Sequence, residues 1–110
     1  LDALGAMPEI TRALLPSLLS DADADVRLLS CELVRQLDAS EAVDLLGPVL
    51  EQEMHPNVCG AAVDVLAELG DSLCVEPLRT CAARFASDPY LSFAIADAIS
   101  RTSTRSASNG

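Results

Sequence analysis

The 110-residue sequence contains no lysine and no tryptophan, and only one tyrosine and two phenylalanines. Without lysine there is no Walker-type phosphate loop, no Schiff-base chemistry and no Lys–Glu pair of the protein-kinase kind. Seven arginines stand against seventeen acidic residues, giving a formal charge of −10. That balance argues against a nucleic-acid partner, because neutralising phosphates needs a basic surface. Long apolar runs are also missing. None approaches the roughly 20 residues that cross a bilayer, and no charged-then-apolar signal segment opens the chain. The expectation is a cytoplasmic protein with no membrane partner. The chain opens on Leu1 rather than methionine, as a piece of a longer protein would.

Half of the residues are apolar, enough for a packed core, and the length allows one domain at most. Cys31, Cys59, Cys74 and Cys81 occupy apolar positions of helical patterns. Small secreted scaffolds use cysteine because they lack a core, so these four are expected to be reduced, buried thiols. Abundant alanine with no lysine points to a GC-rich bacterial source.

The chain repeats itself. Asp23-Ala24-Asp25-Val26-Arg27 recurs as His55-Pro56-Asn57-Val58-Cys59 at an offset of 32, and as Asp88-Pro89-Tyr90-Leu91-Ser92 at a further 33. Leu14, Pro16 and Leu18 align in the same way with Leu46, Pro48 and Leu50. Each unit holds two helical patterns. Val26, Leu29, Leu33, Val34 and Leu37 return as Val58, Ala61, Val65, Leu66 and Leu69, the stripe of an amphipathic helix, and the third copy reads Leu91, Ala94, Ala98 and Ile99. Asp23, His55 and Asp88 stand where N-caps are needed, with Pro56 and Pro89 at the first helical position. The first helices of the units are expected at about 8–19, 41–53 and 72–86, with Ile10, Leu14 and Leu18 inward and bends at Pro16 and Pro48. Short links demand antiparallel neighbours. The spacing therefore predicts an all-α solenoid of three stacked helical hairpins, six helices in all. Its units span about 8–37, 41–69 and 72–102 within one domain over 1–102, followed by a frayed tail at 103–110.

The stretch from Asp21 to Leu50 resembles the short bacterial HEAT repeat, also called the phycobilisome-lyase type. The matching residues are Asp21, Asp23, Val26, Arg27, Glu32, Leu37, Glu41, Ala42, Val43, Leu46 and Leu50, and the likeness runs over about residues 8–102. It implies an α-α superhelix of the armadillo-like kind. In that family the arginine of the motif helps tie neighbouring repeats through acidic groups. Only Arg27 keeps it, with Cys59 and Ser92 at the equivalent positions, so a polar ladder along the stack is not expected.

Several constellations imitate chemistry. Asp21, Asp23 and Asp25 with Glu32 have the spacing of a calcium loop, but Val26 stands where glycine makes the sharp turn, so a solvated turn and helix cap are expected instead. His55 and Cys59, four apart, supply two ligands where structural zinc takes four. As base and nucleophile they have no orienting third group, so His55 is read as a cap and Cys59 as a surface-edge residue. Cys74 and Cys81 are seven apart with no histidine nearby in sequence. No catalytic residue, metal or cofactor is expected.

Glu32, Asp64 and Asp97 form a more informative column, one acid at the same place in each second helix, flanked by Leu28, Gly60 and Phe93 on one side and Cys31, Val63 and Ala96 on the other. The resemblance places second helices on the concave face. An acidic strip with apolar flanks suits a basic or amphipathic segment of a protein or peptide. The leading expectation is a non-catalytic scaffold or adaptor for protein binding, with Glu32, Asp64, Asp97, Leu28 and Phe93 contacting the partner. Because a three-unit stack exposes apolar flanks at its ends, a homodimer or further repeats in a longer parent chain are also expected possibilities. Two alternatives remain open: an accessory subunit of a phycobilin-lyase-like enzyme binding a tetrapyrrole, and a structural domain of a larger multidomain protein.

Overall fold

Four of the helices in this chain begin where a side chain accepts a free backbone N–H. Asp23 Oδ1 accepts from Asp25 N at 2.8 Å, Asp38 Oδ1 from Glu41 N at 2.9 Å, His55 Nδ1 from Asn57 N at 3.1 Å and Asp88 Oδ1 from Leu91 N at 3.0 Å. Each satisfies one of the donors that a helix start leaves open. Three of these caps were legible in the repeat. Asp38, in the link expected between the first two units, starts the next helix.

The computed structural model describes residues 7–105. The helices are α1 (Glu9–Leu18), α2 (Ala24–Leu33), α3 (Ala39–Gln52), α4 (Pro56–Leu69), α5 (Val75–Arg84) and α6 (Pro89–Thr102). Short 3-10 turns at Val34–Gln36 and Ser72–Cys74 follow α2 and precede α5. Proline shapes the second of these turns. Pro77 has no N–H to donate to Leu73, so the α-helix starts at Val75 and puts the proline in its first turn. Pro16 and Pro48 lie inside α1 and α3, with both rings on the exposed side.

The helices make an all-α solenoid of three antiparallel hairpins. α4 packs between α2 and α6 in one layer, and α3 packs on α5 in the other. Leu46, Leu50, Val58, Leu66, Leu78, Leu91 and Ile95 fill the space between the layers. The inward stripe expected of the first unit is corrected. Ile10 is 71% exposed, Leu14 50% and Leu29 63%, while Leu15 and Leu19 point inward instead. Their equivalents Ala42, Leu46 and Ala61 are buried. The difference is physical rather than local: among the described residues a unit packs ahead of the second unit and none packs ahead of the first.

Of the tail expected at 103–110, residues 106–110 lie outside the described residues. The residues before them are docked rather than frayed. Ser72 N donates to Arg105 O at 3.1 Å, and Arg105 Nη1 donates to Glu68 O at 3.2 Å and Gly70 O at 3.0 Å. These carbonyls close α4, where the helix has no donors of its own.

Candidate interaction surface

Arginines hold the units in register, and they set the shape of the surface. Arg27 Nε and Nη2 donate to the two carboxylate oxygens of Glu53, each at 2.8 Å, while Nη1 donates to Asp21 O and Ala22 O. One side chain thus fastens the loop after α1 to the loop after α3. Burial pushes the Glu53 carboxyl up, but the Arg27 side chain and the His55 N–H outweigh it and hold the group below its ordinary value. Arg12 pairs with Glu41, and Arg35 bridges Glu32 and Glu68.

The expectation of no polar ladder is corrected: the Arg27 tie at the first junction is matched at the second by a different residue. Arg84 donates to Leu50 O, Glu51 O and Glu53 O at 2.6, 2.9 and 3.0 Å and lies over the Phe85 ring. Where the second unit lost the motif arginine to Cys59, the third unit reaches back with Arg84. Sequence reasoning missed Glu53 and Arg84, because the partners of both lie about 30 residues away.

The second-helix layer carries the acidic column. Glu32 pairs with Arg35 at 3.0 Å and Asp97 with Arg101 at 3.3 Å, both at the surface, and Asp64 is exposed. A groove of about 360 Å³ crosses this layer, and Leu28, Glu32, Gly60 and Asp64 line it together with Asp88 and Tyr90. Three of the five expected partner residues, Leu28, Glu32 and Asp64, meet in it; Phe93, 75% exposed, and Asp97 lie outside its lining. Tyr90, 72% exposed, was not singled out from the sequence. The available signal was its alignment with Asp25 and Asn57, which puts an aromatic ring where the other units carry small polar groups. A larger hollow of about 600 Å³ lies between α1 and α3, with the Arg27–Glu53 pair among its lining groups. That arginine already serves the ion pair and the loop carbonyls.

The cysteines do not form a site. All four are free and buried. Cys59, expected at a surface edge, is wholly enclosed, with its thiol 3.5 Å from Glu53 O. A hydrogen bond with Cys81 and then burial push the Cys59 thiol up; burial, with Glu53 and Glu32 adding to it, pushes Cys31 up to about 12. His55 meanwhile uses Nδ1 to cap α4. We expect a charged disulfide reagent at pH 7 to react with the thiols of the folded protein at least about 100-fold more slowly than after denaturation. A fast native thiol would restore the nucleophile reading. The aspartates that imitate a calcium loop accept from each other's backbone instead, Asp21 Oδ1 from Asp23 N and Asp23 Oδ1 from Asp25 N. Among the described residues no three His, Cys, Asp or Glu side chains cluster as metal ligands would, and no helix is long and apolar enough to cross a membrane.

Comparison with known proteins agrees with this architecture. No curated protein and no solved structure matches the sequence. Residues 11–100 do match the family model for HEAT repeats. That span takes in α2 to α5 whole and most of α1 and α6, so the stacked hairpins are copies of one repeated unit: the chain belongs to the HEAT-repeat family.

Proposed function

We propose that this chain is a non-catalytic protein-interaction module whose second-helix layer binds a basic, amphipathic segment of a partner protein. HEAT repeats commonly act as interaction scaffolds and are generally non-catalytic. The observation that carries the reading is the groove in which Glu32, Asp64 and Asp88 stand beside Leu28 and Tyr90. Its apolar groups suit the buried side of a partner helix, its carboxylates suit arginine or lysine, and an exposed tyrosine ring attracts a cation to its face. The surface ion pairs of Glu32 and Asp97 present little obstacle, since exposed pairs contribute about 0–1 kcal/mol. A partner arginine can therefore replace Arg35 or Arg101 without a large penalty. With a net charge of −10, encounter with a cationic partner is also fast and salt-dependent.

The test uses a synthetic helix with arginine on one face and leucine on the other. Combining Glu32→Lys, Asp64→Lys and Asp97→Lys is expected to weaken binding at least about tenfold, with the helical circular dichroism intact. Because any acidic protein attracts such a peptide, the control places the same charge change on the opposite layer, at Asp44, Glu51 and Glu76. Equal loss in the two triple variants would reduce the effect to net charge and remove the groove from the account.

A further inference from the structure

Position by position, the flank of α1 and α2 that faces away from the second unit matches a surface that is covered elsewhere in the same molecule. Ile10 and Leu14 align with Ala42 and Leu46 in the second unit and with Cys74 and Leu78 in the third. Those four are wholly buried, whereas Ile10 and Leu14 are exposed, and Leu29 is exposed where Ala61 is not. The polar groups repeat as well. Glu41 and Glu53 take Arg12 and Arg27 from the unit ahead, and 32 residues before them stand Glu9 and Asp21. Even the local bonding agrees: Glu53 Oε2 accepts from the N–H two residues on, and so does Asp21 Oδ1.

We infer that this flank, Ile10, Leu14 and Leu29 between Glu9 and Asp21, is a docking face for a further helical hairpin of the same repeat type that brings one arginine to each acid. The face is independent of the groove on the second-helix layer. A second copy of this chain fits it poorly. Where the first unit offers Arg12 and Arg27, the third unit offers Glu76 and Ser92, so stacking copies head to tail sets Glu76 against Glu9. Facing two such flanks together brings acid to acid. The partner is thus a hairpin with an apolar flank and two arginines, and its contact continues the internal interface in kind.

The first unit itself supplies the probe. Inserting a second copy of residues 7–38 between Ala6 and Met7 keeps the register, because residue 38 then meets Met7 as it otherwise meets Ala39, 32 positions on. The extended protein is expected to unfold in one transition, with a thermal midpoint raised by about 5 °C or more and helical signal rising with the added residues. Glu9→Arg in the original unit should lower that midpoint by about 3 °C, and Arg12→Glu in the inserted copy should restore it. Glu9→Arg in the unextended protein is the control and should change the midpoint by less. An inserted unit that melts separately, or a charge swap that restores nothing, overturns the proposal. So does a dimer of the unextended protein that Leu14→Glu dissociates, since the occupant would then be a second copy.

Discussion

Leu46→Ala is expected to lower the unfolding free energy by about 3 kcal/mol, and Leu14→Ala, at the same position of the repeat, by less than about 1.5 kcal/mol. Leu46 is wholly enclosed in α3, so truncation removes its transfer free energy and leaves a cavity whose walls relax only in part. Leu14 is half exposed in α1, and water fills the space its side chain vacates. Against a total stability of about 5–15 kcal/mol for a domain, the first loss is large and the second small. Urea unfolding of the two variants beside the parent measures the contrast directly. Equal losses would mean that Leu14 is covered in solution, and a dependence of its effect on protein concentration would identify self-association as the cover.

The contrast between Leu14 and Leu46 also marks where the sequence stops informing. Periodicity identifies which positions belong to the core of a unit, because the stripe of Val58, Ala61, Val65 and Leu66 is a property of one helix. Burial of those positions depends on a neighbour, and the same stripe in α2 leaves Leu29 in water. Helix starts were legible for a similar reason, since Asp23, His55 and Asp88 bond within two or three residues of themselves. The ties between units were not. Arg84 and Arg105 reach carbonyls more than 30 residues away, and neither position repeats as arginine in the other units. On the candidate surface the acids Glu32 and Asp64 follow from the repeat, whereas Tyr90 joins them only because α6 stacks against α4 and brings its first turn beside the groove.

Gly70→Ala is expected to destabilise the protein by about 2 kcal/mol or more, although its backbone conformation suits any residue. Gly70 has φ −72° and ψ 173°, ordinary extended geometry at the end of α4. Its difficulty is space. A Cβ there would lie 2.6 Å from Leu66 O and 2.9 Å from Cys74 Sγ, and neither atom is the free end of a flexible side chain. Leu66 O already accepts from Gly70 N at 2.7 Å, and Gly70 O accepts from Arg105, so retreat of the backbone breaks the closure of α4 as well. Overpacking of this kind costs about 1–3 kcal/mol before any lost hydrogen bond is counted. Two glycines inside helices supply the comparison. At Gly47 an added Cβ meets Pro77 at an ordinary 3.8 Å, and at Gly60 it meets nothing within 4 Å, so alanine at either site is expected to be neutral or to stabilise by up to about 1 kcal/mol through helix propensity. Thermal unfolding of the three variants decides the matter, and a harmless Gly70→Ala would show that the α4–α5 junction can shift. Gly60 adds a second use, because it lines the groove beside Glu32 and Asp64. A Gly60→Ala protein that is more stable yet binds the arginine–leucine helix less well would separate the groove's role in recognition from its role in folding.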